Sequence, residues 1–119
     1  MHEVSIVDAL IERVRQEVER SGHRGRVSRL ELAIGPFSGV NVECLRFAFQ
    51  MLAPGTLVES ADLLIAEPKA LCCCRQCKAR TEIADLVASC PACGGDDVWL
   101  EGGQELVLRT IDLVEPEEA

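Results

Sequence analysis

The chain has 119 residues, a formal net charge of −8 and a pI near 4.7. This length accommodates one domain, or one domain carrying a small module, and the acidity argues against a phosphate backbone as partner. A hydrophobic content of 48% excludes disorder as a whole, and three Phe, one Trp and no Tyr leave a core of Leu, Val, Ile and Ala.

The first pattern is helical. Val4, Val7, Ile11, Val14 and Val18 recur at i, i+3/i+4 spacing, with Leu10 widening the stripe and Glu12, Arg13, Arg15, Glu17 and Glu19 on the solvated side. Glu3 and Asp8 lie near its start, where the helix dipole favours acids, and Ser21-Gly22 ends it with a left-handed cap. His23, just beyond, reads as a solvated surface residue. Arg26 to Ile34 alternates, with Leu30, Leu32 and Ile34 on one face, and predicts a half-buried strand that Gly35-Pro36 breaks. Asn41 is placed to cap a second helix. Its expected apolar stripe is Cys44, Leu45, Ala48, Met51 and Leu52, flanked by Phe47 and Phe49, with Cys44 as a small core residue. Asp62 to Glu67 reads as a strand that ends at Pro68. From about Lys69 to Gly103 the apolar periodicity gives way to Cys, Gly and Pro with short strands at Arg80–Ile83 and Val98–Glu101. Glu105 to Val114 then returns as a long apolar strand. The fold class is α+β: a small mixed sheet with two helices, formed by 1–68 and 104–119, carrying an inserted zinc-ribbon-like four-cysteine module at 69–103. The acidic tail Glu115-Pro116-Glu117-Glu118 serves solubility.

Within the insert, Cys74-Arg75-Gln76-Cys77 is answered twelve residues later by Cys90-Pro91-Ala92-Cys93-Gly94. Each Cys-x-x-Cys pair bends into a knuckle that points two sulfurs at one ion, and four thiolates make a closed structural Zn²⁺ site. Pro91 and Gly94 suit such a turn. Cys72 and Cys73 leave the first ligand open to register exchange with Cys74. As strand residues, one of the two would be buried and the other exposed. No His lies in the insert, which argues against a catalytic zinc, and the Gly/Pro-containing loops argue against a thioredoxin-like redox pair. Seven cysteines at metal spacing, without a basic segment leading into an apolar run, point to a reducing cytoplasm and no secretory signal. No stretch nears the ~18 apolar residues of a membrane span.

The start of the chain offers a second, different donor set. A large residue such as His2 should block removal of Met1. The Met1 α-amine, the His2 amide and the His2 imidazole can then close fused chelate rings on one ion. The Glu3 amide and carboxylate offer further donors. A tetragonal set of N and O donors suits Ni²⁺ or Cu²⁺ rather than Zn²⁺.

Met1-His2-Glu3-Val4-Ser5 resembles the Met-His-Glu-x-Ser start of the hydrogenase nickel-incorporation proteins of the HypA/HybF family. The resemblance continues through Ile34-Gly35, Glu43, Phe47-Ala48-Phe49 and Gly55-Thr56 to the two Cys-x-x-Cys pairs, and so covers essentially the whole chain. It implies a nickel metallochaperone, not an enzyme. His2 would be the nickel ligand, with Glu3 supporting or ligating and Met1 contributing its amine, and a structural Zn²⁺ would be held by Cys74, Cys77, Cys90 and Cys93. The implied partners are the GTPase HypB and the large-subunit precursor of a nickel–iron hydrogenase, without nucleic acid or membrane, and with the chain as a monomer or weak homodimer. Some family members carry an acidic residue near the position of Asn41; the adjacent Cys72 and Cys73 also depart from the family pattern. The rival reading is a zinc-ribbon module for protein interaction or nucleic-acid binding, with no nickel transfer.

Overall fold

In a computed structural model of the chain, residues 2–23 and 25–114 are described here. Met1 and the tail Glu115–Glu118, both singled out above, lie outside the described residues. The elements in chain order are α1 (His2–Ser21), β1 (Val27–Ile34), α2 (Val42–Leu52), β2 (Asp62–Ala66), β3 (Ala70–Cys74), β4 (Arg80–Ile83), β5 (Val98–Glu101) and β6 (Leu106–Leu113). They form two three-stranded sheets, ordered β2-β1-β6 and β4-β3-β5. Two helices, small sheets and a four-cysteine cluster make up the α+β class expected from the sequence.

The chain divides into two compact units. The first comprises residues 1–32, 40–65 and 108–119, and the second 33–39 and 66–107. The composition shift at Lys69 does not mark residues 33–39, which lie with the second unit. Backbone bonding explains the grouping: the Gly35 N–H donates to Glu105 O at 2.8 Å and the Phe37 N–H to Gly103 O at 2.6 Å.

In the first unit, α1 buries Val7, Leu10, Val14 and Val18, four positions that repeat on one side of a 3.6-residue helix. Its outer side carries ion pairs such as Arg13–Glu17 and Arg15–Glu19, which are solvated and add little stability. Gly22 ends the helix at φ 74°, with its N–H on Glu19 O. His23 is half-buried rather than fully solvated, and its Nδ1 accepts from the Gly25 N–H at 2.8 Å.

Asn41 caps α2 as expected, its side-chain oxygen accepting from the Cys44 N–H at 2.9 Å. The buried side of α2 is Leu45, Ala48 and Phe49. Two expectations for this helix are corrected. Cys44 is exposed, not core, and Met51 is 66% exposed, beside Phe47 at 63%. The apolar arc of α2 is wider than the surface it packs on, so periodicity alone placed its centre too far toward Cys44. Val27 and Leu30 on β1 and Val58 in the connecting loop complete the buried set.

The second unit has a small core of Ala70, Cys72 and Ile83, against which Phe37, Val87 and Val98 pack. Strand β3 is its centre, antiparallel to β4 (Cys72 opposite Thr81) and to β5 (Cys72 opposite Leu100).

Asn41→Ala removes a cap acceptor and leaves the backbone contacts of that residue intact. It should cost about 1 kcal/mol, read as a lower urea midpoint with an unchanged m-value. An unchanged midpoint would show that the cap contributes nothing.

Candidate metal centre

Strand β3 ends at Cys74, and the chain turns straight into the first knuckle. There the Lys78 N–H donates to Cys74 O at 3.1 Å and the Cys74 N–H to Ala79 O at 3.1 Å. The second knuckle repeats the turn, with the Gly94 N–H on Cys90 O at 2.8 Å and the Cys90 N–H on Gly95 O at 2.7 Å. The residue after the second cysteine is left-handed in both: Gly94 at φ 78° and Lys78 at φ 66°. Glycine adopts that backbone freely, whereas a side chain costs roughly 1–2 kcal/mol. Lys78 therefore hid the likeness of the two turns at the level of sequence.

The knuckles bring Cys74, Cys77, Cys90 and Cys93 together, with one sulfur from each and all four within 4.8 Å of one another. Sγ of Cys74 is 3.7 Å from that of Cys93, and Sγ of Cys77 is 3.6 Å from that of Cys90. A tetrahedron with Zn–S bonds of about 2.3 Å has an edge of roughly 3.8 Å. The four-thiol set thus fits a closed zinc site in both donor type and size. Backbone amides already face the sulfurs: the Cys77 N–H donates to Cys74 Sγ at 3.4 Å, Ala92 N–H to Cys90 Sγ at 3.3 Å, and Gly95 N–H to Cys93 Sγ at 3.4 Å.

Amides and neighbouring thiols act oppositely on Cys90 and Cys93. Cys90 is lowered to about 7, chiefly because the Cys93 amide donates to it, with the Ala92 amide adding to the effect against the cost of burial. On Cys93 the Gly95 amide pulls down, but the thiol of Cys77, burial, and the thiols of Cys74 and Cys90 outweigh it and push the group up to about 12. Of these two thiols Cys90 ionises first, and the neighbouring sulfurs oppose a second charge on Cys93. A divalent cation removes that resistance.

The end of β3 places Cys74, rather than a neighbour, beside the other three sulfurs. Cys74 is in the cluster, and Cys72 and Cys73 are not. The expectation that one of these two is exposed fails, since both are 1% exposed. Cys72 faces the small core of its unit. Cys73 pairs in register with Arg80 and Trp99, and the Arg80–Glu101 ion pair at 2.8 Å and the Trp99 ring lie on its side of the sheet. A central strand with both faces covered has no exposed side.

The second candidate set lies at the start of α1. His2 is largely exposed, and its Nδ1 is 3.3 Å from Glu3 Oε2. The same carboxylate oxygen accepts from the Asn41 N–H at 3.3 Å. That amide is the main cause holding the Glu3 carboxyl below its ordinary range, helped by the charge of His2. The Asn41 side chain is committed to its cap. Sequence reasoning found His2 and Glu3 but missed the Asn41 amide, because a backbone donor leaves no residue-type signal.

A family model described as hydrogenase/urease nickel incorporation, metallochaperone, hypA, matches residues 1–113. The hydrogenase maturation factor HypA of Syntrophus aciditrophicus is 40% identical over 113 residues, covering 95% of this chain and 97% of that protein. The one from Beijerinckia indica is 34% identical over 114 residues, covering 96% and 100%. In fold, the chain is similar to the solution structure of the Ni metallochaperone HypA from Helicobacter pylori, with a TM-score of 0.64 and 22% identity over 96% of this chain and 98% of the other. A match over nearly the whole length leads to one conclusion: the chain belongs to the HypA family of nickel-incorporation metallochaperones that act in hydrogenase maturation.

Proposed function

We propose that the chain takes up Ni²⁺ at its N-terminus and delivers it to the large-subunit precursor of a nickel–iron hydrogenase, with HypB as its GTPase partner. The observation that carries this reading is the meeting of His2 Nδ1 with the Glu3 carboxylate at 3.3 Å in the first turn of α1. The first amides of a helix have no acceptor within it, so a metal can engage the amide nitrogens of His2 and Glu3 without breaking an intrahelical bond. Together with the imidazole of His2 and the amine of Met1 they supply the tetragonal nitrogen donors that Ni²⁺ prefers. Because Asn41 caps α2, an additional carboxylate donor falls to Glu3, which its contact with the Asn41 amide keeps ionised. An exposed site of this kind binds a cargo ion and still releases it.

In the same reading Cys74, Cys77, Cys90 and Cys93 hold zinc for structure, with 69–103 as the zinc-binding part and 1–68 with 104–119 as the nickel-binding part. The protein is a carrier and not an enzyme, works in the cytoplasm as a monomer or weak homodimer, and engages neither nucleic acid nor membrane. Among the described residues no helix is long and apolar enough to cross a membrane.

Two experiments test this reading. With zinc kept bound, His2→Ala, or one residue added before Met1, should weaken Ni²⁺ binding in calorimetric titration by at least about tenfold, since losing a mere supporting group can cost that much. Wild-type affinity should also fall from about pH 7.5 to about pH 5.5, because protons compete for the imidazole and the amine. Unchanged affinity in both variants would leave the zinc-ribbon interaction module as the better reading. Separately, Cys74→Ser should abolish stoichiometric zinc and unfold the second unit. Cys72→Ser should keep zinc while costing about 1–3 kcal/mol for its buried hydroxyl. Zinc lost from Cys72→Ser but retained by Cys74→Ser would reverse the assignment.

A further inference from the structure

We infer that Arg75 is a positioning residue of the four-thiolate centre, and that through it Trp99 senses whether the metal is bound. The inference rests on the zinc reading of the cysteine cluster. Arg75 sits inside the first knuckle, between Cys74 and Cys77, and is tied in three ways to Asp97 and to Trp99 of β5. Its N–H donates to Asp97 O at 3.0 Å. Its Nη1 pairs with Asp97 Oδ1 at 2.9 Å. Its guanidinium lies over the Trp99 ring, 4.6 Å from the centroid. The indole N–H of Trp99 points to Glu101 Oε1 at 3.3 Å, and Glu101 pairs with Arg80 of β4 at 2.8 Å. A continuous row therefore runs Asp97–Arg75–Trp99–Glu101–Arg80, with one end built into the metal knuckle.

Zinc with four thiolates carries a net charge of −2, and a cation fixed within the knuckle favours it. Fixing the knuckle also removes part of the ordering that the metal would otherwise impose. When the metal leaves, the four sulfurs lose the ion that ties the two knuckles together, the first knuckle loosens, and the guanidinium leaves the indole face. Trp99 is the one Trp of the chain, and at 37% exposure it is poised to report that change. Arginine suits the role because its planar guanidinium can pair with a carboxylate and stack on a ring at once, which an ammonium does poorly.

The test uses the full, zinc-loaded chain. Zinc transfer to a colorimetric chelator is timed at a temperature where far-ultraviolet circular dichroism is unchanged, and Trp99 emission is followed as metal is removed and restored. Arg75→Ala should lose zinc about tenfold faster, in the range seen for supporting residues of metal sites, and should show little emission change on metal removal. Arg75→Lys should recover part of the zinc retention. Arg80→Ala, at the far end of the row, should lose zinc at the wild-type rate; a merely structural contribution would move both ends alike. If Arg75→Ala does not fold, Asp97→Asn removes the charged partner of Arg75 and takes its place, with faster zinc loss expected. Zinc loss at the wild-type rate in Arg75→Ala or Asp97→Asn, equal acceleration in Arg80→Ala, or wild-type emission indifferent to zinc would each overturn the proposal. A wild-type chain that holds no zinc would instead overturn the zinc reading and this proposal with it.

Discussion

Four cysteine sulfurs held within 4.8 Å of one another cannot all carry charge unless a cation sits among them. The second unit depends on that constraint. Its small apolar cluster is Ala70, Cys72 and Ile83, with three partly buried neighbours. A core of that size does not stabilise a fold alone, and metal binding supplies folding free energy where burial cannot. The knuckles make the constraint useful. Each directs amide hydrogens at sulfur, with Cys74 and Cys90 buried and Cys77 and Cys93 exposed.

The first unit follows another economy. Val7, Val14, Leu30 and Leu45 are fully buried, and paired helices on a sheet hold together without metal. Its candidate nickel donors lie on the outside, at the end of a helix, with a single carboxylate shared between His2 and the Asn41 amide. The two donor sets differ as their tasks do. Thiolates in a closed tetrahedron bind zinc for the life of the fold. In the proposed reading, nitrogens and a carboxylate at the start of α1 select nickel by geometry and can give it up.

Much of this was legible in the residues. The helical stripe from Val4 to Val18, the Asn41 cap, the strands at Arg80–Ile83 and Val98–Glu101 and the four cysteines all rest on local rules, and local rules act through neighbours in sequence. The misreadings share a cause. Cys44 and Met51 have the right chemistry for a core, but the surface opposite α2 was not wide enough to cover them. Strand alternation turns one of Cys72 and Cys73 outward, yet the Arg80–Glu101 pair and Trp99 share the Cys73 side of the sheet. Residues 33–39 carry no mark of the cysteine-rich unit and join it through backbone hydrogen bonds.

The sequence by itself determined which residues can hold a metal and of what kind. Thiol chemistry belongs to the cysteine side chain, and the Cys-x-x-Cys spacing closes a knuckle within four residues. Only the tertiary structure decided that Cys74, and neither neighbour, completes the cluster, because that depends on where β3 ends and on which neighbours cover each of its faces. It alone revealed the Asn41 amide behind Glu3 and the Arg75–Trp99 stack behind the thiolates. Both join positions far apart in the chain, and no periodicity or composition records which distant groups folding will bring within a hydrogen bond.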